Sequence, residues 1–222
     1  MTLIVAHKHM KLQKSIALAC CAIVALSGSG LSAKAAEMRS ENKTFAEWCR
    51  EKDSLSREAK HTVEMLLKEA GTTECDAADQ ELSDLIELDL SSKEISDIKP
   101  LESLTNLTWL SLRNNQISDI KPLESLTNLT TLGLFDNQIS DIKPLQSLTN
   151  LTWLVLSHNQ ISDIKPLQSL TKLTDLNLEK NQIRDIKPLE SLTNLIWLYL
   201  SGNPIAPKTC PLKPESICKW EP

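Results

Sequence analysis

Five aspartates recur at a spacing of 22 residues, an arrangement in which neighbouring carboxylates could share a bound cation. They are Asp97, Asp119, Asp141, Asp163 and Asp185. Each is followed two residues later by lysine and then by proline. A carboxylate directly before a proline-initiated helical turn can cap the free N–H groups of that turn, and the lysines disfavour a cation. We therefore interpret the aspartates as structural and expect no metal site.

Nucleophilic and acid–base side chains form no recognisable catalytic arrangement in this sequence. His158 is the only histidine between residues 85 and 205, and no serine or cysteine accompanies it in a known motif. Glycine-rich phosphate loops, metal-ligand spacings and nucleophile elbows are also missing from the sequence. We expect no enzymatic activity, no catalytic residue and no cofactor.

The aspartates belong to six copies of one 22-residue unit that occupy residues 85–205. Every copy carries apolar residues at positions 1, 4, 6 and 11, and the five complete copies also at positions 14, 17 and 20. The copies begin at Leu85, Leu107, Leu129, Leu151, Leu173 and Leu195, and the last is incomplete. One unit cannot bury this many apolar side chains by itself, so the copies must stack into a continuous core.

The unit LxxLxLxxN-x-I-x-D-I-x-P-L-x-x-L resembles the leucine-rich repeat. Its length and its Asp-Ile-Lys-Pro-Leu turn are most similar to the internalin-type bacterial subclass. The resemblance covers roughly residues 85–205. It implies an α/β fold, namely a right-handed solenoid with a parallel sheet on the concave face and short helical turns on the convex face. It also implies protein recognition through the concave surface.

Position 9 of the unit is asparagine in five copies, and an asparagine amide both donates and accepts hydrogen bonds. Stacked copies could therefore satisfy the backbone groups where each strand turns. We predict a structural ladder formed by Asn115, Asn137, Asn159, Asn181 and Asn203.

The segments on either side of the repeats are predicted to be caps, because a solenoid exposes apolar core at both ends. Residues 44–84 are expected to form a helical N-terminal cap, which starts at the capping box of Thr44 and Glu47. Residues 206–222 are expected to form a C-terminal cap held by a disulfide.

Four cysteines belong to the two caps, and an even number in an exported chain predicts disulfides. Cys49 and Cys75 precede the repeats, whereas Cys210 and Cys218 follow them. Six strands separate the two pairs by roughly 25 Å, which is too far for a disulfide. We predict the pairs Cys49–Cys75 and Cys210–Cys218. Zinc is the alternative, but the spacings do not match a zinc site and the ligands would lie at opposite ends.

Residues 1–35 are predicted to be a secretory signal peptide. A basic start with three lysines between residues 8 and 14 precedes an apolar run at 16–26, and residues 33–35 offer an Ala-Lys-Ala cleavage site. Met10 provides a second start. An uncleaved membrane anchor is the alternative to cleavage.

After the signal peptide, residues 36–43 form a polar leader. We expect a bacterial protein that is secreted or periplasmic and has no stable membrane insertion after cleavage. Its formal net charge of -5 provides no basic face for nucleic acid.

The copies differ strongly only at positions 3, 5, 7 and 8, which are the outward positions of the strand and the residues just after it. We call these positions the variable face. They hold five of the eight aromatic residues: Trp109, Phe135, Trp153, Trp197 and Tyr199. The three tryptophans recur in every second copy and should lie about 10 Å apart. Gly133 is expected to leave a notch between Trp109 and Trp153.

Exposed Trp and Tyr are typical of binding hot spots, so we predict a protein-binding module that recognises its partner through the variable face, on the concave side of the repeats. The alternative for the rings is that they shield the sheet or pack on each other. The alternative function is carbohydrate or cell-wall binding, because tryptophan rows also stack on sugar rings. The candidate ligand-binding residues are Trp109, Arg113, Thr131, Phe135, Asp136, Trp153, Val155, His158, Asp175, Glu179, Trp197 and Tyr199.

Overall fold

The computed structural model of the protein describes residues 43–221. The predicted signal peptide and nearly all of the polar leader lie outside these residues. No helix within residues 43–221 is both long enough and apolar enough to cross a membrane.

Three helices precede the repeats: α1 (Phe45–Arg50), α2 (Arg57–Glu69) and α3 (Cys75–Ser83). The hydroxyl of Thr44 accepts a hydrogen bond from the Glu47 N–H, while the Glu47 carboxylate accepts one from the Thr44 N–H. This reciprocal pair fixes the start of α1. A disulfide between Cys49 and Cys75 joins α1 to α3.

Polar and apolar contacts attach this helical segment to the first repeat. The Thr62 hydroxyl in α2 donates to the Asp97 carbonyl at 2.6 Å, and His61 Nε2 lies 2.6 Å from the Lys93 carbonyl. Phe45 and Leu66 are fully buried in the same apolar core as the repeats. The helices therefore cover the end of the stacked leucines, as a solenoid requires.

Seven short strands form one parallel sheet in which spatial order follows sequence order. They are β1 (Glu87–Asp89), β2 (Trp109–Ser111), β3 (Thr131–Gly133), β4 (Trp153–Val155), β5 (Asp175–Asn177), β6 (Trp197–Tyr199) and β7 (Cys218–Lys219). The first six belong to the repeats. β7 follows them, pairs Cys218 with Leu198 of β6, and was not predicted from the sequence. A second disulfide joins Cys218 to Cys210.

Short 3₁₀ turns connect the strands and complete each layer of the solenoid. They are Lys99–Leu101, Lys121–Ser125, Lys143–Ser147, Lys165–Ser169 and Lys187–Ser191, and each has proline near its start. The preceding aspartate caps the turn in every case; Asp119 Oδ1, for example, accepts from the Lys121 N–H at 2.9 Å. The confirmed fold is therefore a leucine-rich-repeat solenoid with a parallel sheet and short helical turns.

The asparagines at position 9 lie inside the solenoid and connect one layer to the next. Asn137 Oδ1 accepts from the Ile117 N–H at 3.0 Å, and its Nδ2 donates to the carbonyls of Leu112 and Leu134. Asn115, Asn159, Asn181 and Asn203 make equivalent bonds. The amides thus satisfy buried backbone groups that bend away from the strands.

Candidate binding face

The parallel register places the three tryptophans in one row across the sheet. Trp109 aligns with Thr131, Thr131 with Trp153, Trp153 with Asp175, and Asp175 with Trp197. The next residue in each of these strands is a fully buried leucine, so this row points away from the core. Trp197 is 43% exposed, while Trp109 and Trp153 are half-buried.

The expected notch at Gly133 is filled, which corrects the prediction made from its missing side chain. A Cβ on Gly133 would lie only 2.9 Å from Arg113 Nε. The Arg113 side chain therefore crosses the sheet over the glycine and places its guanidinium 5.2 Å from the ring centroid of Trp153. Gly133 provides the space for an arginine of this chain and does not leave a vacant pocket.

Two aromatic contacts lie on the same side of the sheet as the tryptophans. The rings of Phe135 and His158 meet edge to face with their centroids 4.8 Å apart. Trp197 and Tyr199 lie nearly parallel with their centroids 6.5 Å apart. Three of the five aromatic side chains therefore pack on another ring, as one of the two sequence interpretations allowed, and all five stay at least partly exposed.

Carboxylates and amides occupy the fifth repeat, between the tryptophans of the fourth and sixth. Glu179 accepts from the Ser201 hydroxyl at 2.6 Å and from Asn177 Nδ2 at 3.2 Å. Asp175 accepts from the Thr174 hydroxyl at 2.7 Å. Within residues 43–221, neither carboxylate takes part in an ion pair.

The remaining candidate residues differ in their accessibility. Asp136 is exposed, whereas Thr131 and Val155 are half-buried. Some other positions of the variable face are closed to a partner, because Ser111 and Ser157 are buried. The accessible part of the variable face is therefore smaller than its full set of positions, while all of the candidate residues are at least partly exposed.

Position 8 carries a backbone constraint that the sequence interpretation missed. Its residues have left-handed backbones in all six copies, with φ between 49° and 72°: Ser92, Asn114, Asp136, His158, Lys180 and Gly202. Gly, Asn and Asp tolerate this conformation best, and three of the six residues are of these types. The frequency of these residue types at position 8 could have indicated the left-handed conformation from the sequence. The choice of residue at position 8 therefore partly reflects backbone geometry.

Two further residues extend the face beyond the predicted set. Lys219 of β7 places its ammonium 4.9 Å from the ring centroid of Trp197, and it was missed because its strand was not predicted. Ile196 is 58% exposed beside Trp197. Position 2 is threonine in the four preceding copies, so the change to isoleucine was a readable signal.

Metal ligands do not cluster in this region or elsewhere in residues 43–221, where no group of three or more His, Cys, Asp or Glu side chains could hold an ion. The arrangement therefore offers stacking surfaces, carboxylates and hydrogen-bonding groups.

Comparison with known families identifies the repeats. A family model described as "Leucine Rich repeats (2 copies)" matches residues 105–147 and 149–191. A search of curated protein sequences gave no match.

Solved structures of bacterial repeat proteins are similar to this chain. The internalin inlF of Listeria monocytogenes is 44% identical with a TM-score of 0.56, and the match covers 58% of this chain and 38% of that one. Internalin C2 of the same organism is 40% identical with a TM-score of 0.53, covering 63% and 71%. A leucine-rich-repeat protein of Leptospira interrogans is 33% identical with a TM-score of 0.56, covering 65% and 38%. The chain thus spans well under half the length of the first and third of these proteins.

Proposed function

The chain belongs to the internalin-like group of leucine-rich-repeat proteins, and we propose that it is an exported, non-enzymatic module that binds a protein partner through its variable face. The fold itself is that of a protein-interaction module. Export, the use of this face and the absence of catalysis are the parts that we propose. The inferred location is the periplasm or the medium of a bacterium.

One observation carries the proposal: the aromatic side chains of the variable face stand outside a core that is already complete. The leucines of the strands, such as Leu110, Leu132 and Leu154, are fully buried and point to the opposite side of the sheet from the rings. In contrast, the aromatic residues of the N-terminal cap, Phe45 and Trp48, are buried. Rings that the core does not need, arranged in one row on a rigid sheet, form the kind of apolar patch at which proteins associate.

The direct test is capture of a partner from periplasmic extract and culture medium. Wild-type protein should retain a specific protein that the triple variant Trp109→Ala, Trp153→Ala, Trp197→Ala loses. The matched control replaces three exposed glutamines that also recur in successive copies, Gln116, Gln138 and Gln160, with alanine. The control should bind like wild type, since its substitutions lie outside the variable face.

Equal capture by the wild type and the tryptophan variant would refute the proposal. So would a fall in melting temperature of the tryptophan variant as large as that caused by Leu110→Ala, because the rings would then be structural. Saturable quenching of tryptophan fluorescence by soluble cell-wall glycan, without protein capture, would favour the carbohydrate alternative.

Export has its own test, which is independent of the partner. Expression of the full sequence in a bacterium, followed by mass measurement of the protein outside the cytoplasm, should give a chain that begins at Ala36. Retention of the uncleaved chain in the membrane would instead favour the anchor.

A further inference from the structure

Trp153, Asp175 and Trp197 occupy neighbouring positions of one row, on β4, β5 and β6. Two strand spacings separate the tryptophan backbones by about 10 Å. Because both side chains leave the sheet on the same face, a group above the middle strand would lie about 5 Å from the strand of each tryptophan. A cation there can reach either indole, which attracts it within roughly 6 Å. The same point lies over Asp175. This arrangement, which we call the Asp175 slot, combines two aromatic walls with a carboxylate floor.

Both walls already contact cations of this chain. The Arg113 guanidinium lies over Trp153, and the Lys219 ammonium lies over Trp197. Arg113 reaches Trp153 across Gly133 of β3, and Lys219 belongs to β7, so both approach from strands on the far side of their ring from β5. Neither cation occupies the strand position between the two rings.

The charge of the slot is negative and is not neutralised within residues 43–221. Asp175 receives only the Thr174 hydroxyl, and Glu179 on the same repeat is held by Asn177 and Ser201. Lys180 is the only basic residue that follows β5 directly, and its side chain lies against Gly202 of the next repeat. The Asp175 carboxylate, at the strand position between the two tryptophans, is complementary to a positive charge.

From these contacts we propose that the Asp175 slot binds a lysine or arginine side chain of the protein partner. The inference rests on the proposed protein-binding function and specifies the chemistry of its partner: a basic side chain projecting from the surface that docks on β4–β6. The alkyl stem would pack between the rings, and the charged group would pair with Asp175. A sugar ring stacked on the same indoles would leave the Asp175 carboxylate without a counter-charge.

The slot can be tested without knowing the partner. The exported protein is titrated at low ionic strength with N-acetyl-arginine N-methylamide, and the indole N–H signals are followed by ¹H–¹⁵N NMR after assignment with single Trp→Phe variants. The signals of Trp153 and Trp197 should shift saturably, and that of Trp109 should shift less. The citrulline analogue, which has nearly the same shape but no charge, should cause no saturable shift.

Matched variants separate the carboxylate floor from general surface charge. Asp175→Asn should weaken binding of the arginine probe about five-fold. Glu124→Gln also removes one carboxylate charge, but from an exposed position outside the variable face, so it should bind the probe like wild type. High salt should weaken binding to the wild type and affect Asp175→Asn less.

Three results would overturn the slot: no saturable shift of the two indoles, equal shifts with citrulline, or unchanged affinity in Asp175→Asn. Shifts caused by soluble cell-wall glycan and not by arginine would also overturn it. These outcomes are distinct from failure of the proposed function, which would be shown by equal partner capture by the wild type and the triple tryptophan variant. Capture that depends on the tryptophans, combined with a negative titration, would refute the slot alone.

Discussion

Replacing Asn137 with alanine should destabilise the solenoid without altering its surface. In the structure, Asn137 Oδ1 is the acceptor for the buried Ile117 N–H, and Nδ2 donates to the Leu112 and Leu134 carbonyls. The two carbonyls keep partners in the variant, because Asn115 also donates to Leu112 and Asn159 to Leu134. The Ile117 N–H loses the acceptor that the asparagine provides.

The expected loss of stability follows from this difference between the Ile117 N–H, which loses its acceptor, and the two carbonyls, which keep a donor. An unsatisfied buried donor costs about 1–3 kcal/mol, and the lost bonds to carbonyls that retain another donor add less. We therefore expect the free energy of unfolding to fall by about 2–3 kcal/mol. The Asn137 amide bonds only to the second repeat and to its own, so the loss should weaken the interface between the second and third repeats.

The assay is equilibrium unfolding in urea followed by far-ultraviolet circular dichroism. The matched control is Asn128→Ala, because Asn128 donates one hydrogen bond, to the Thr105 carbonyl at 2.9 Å, from an exposed position. It should lose less than about 1 kcal/mol. Equal losses in the two variants would refute the view that the ladder stabilises the fold by satisfying buried backbone groups.

Three further predictions follow from other contacts. Gly133→Ala should displace Arg113 from Trp153, since the new Cβ would lie 2.9 Å from Arg113 Nε. The displacement should shift the indole NMR signal of Trp153. The control Gly71→Ala, where nothing lies within 4 Å of the new Cβ, should leave that signal unchanged. Replacing Cys49 and Cys75 with alanine should reduce the free energy of unfolding by about 3.5 kcal/mol, and replacing Cys210 and Cys218 by about 2.5 kcal/mol. The first loss is larger because that disulfide closes a loop of 26 residues and the second a loop of 8. Urea titrations check both values, and a larger loss for the second pair would contradict the prediction. Burial raises the pKa of Glu102 beside the N-terminal cap, so its stabilising contribution is complete below the ordinary pKa of glutamate and is lost as pH rises through the raised value. Glu102→Gln should therefore raise the melting temperature at pH 7 and change it little at pH 3.5, and an increase confined to acid pH would reverse the assigned sign.

Local spacing made the repeated parts of the molecule predictable. A 22-residue period places the same residue types in every layer, so Asp119 capping its turn and Asn137 bridging two layers could be inferred from position alone. The row of tryptophans could be inferred in the same way, because a parallel register aligns equivalent positions of successive copies.

Contacts between different positions of different copies, or with residues outside the repeats, were not predictable. The long Arg113 side chain reaches two strands away to Trp153, and only the backbone of Gly133 beneath it makes that path available. Lys219 comes to Trp197 from a two-residue strand without repeat character. His158 also has a left-handed backbone, with φ 57°, although it is neither glycine, asparagine nor aspartate, so its own residue type did not indicate this conformation.

The sequence alone therefore determined the solenoid, its polar ladder and the face that varies, since a strict period forces each residue type into the same environment in every layer. Only the tertiary structure decided which parts of that face are open: cations of the chain itself cover one side of Trp153 and of Trp197, and Asp175 stays between them without a basic partner in residues 43–221. The physical reason is that long side chains extend across several strands. Backbone periodicity fixes where side chains start, whereas packing across several strands fixes where their charged ends lie.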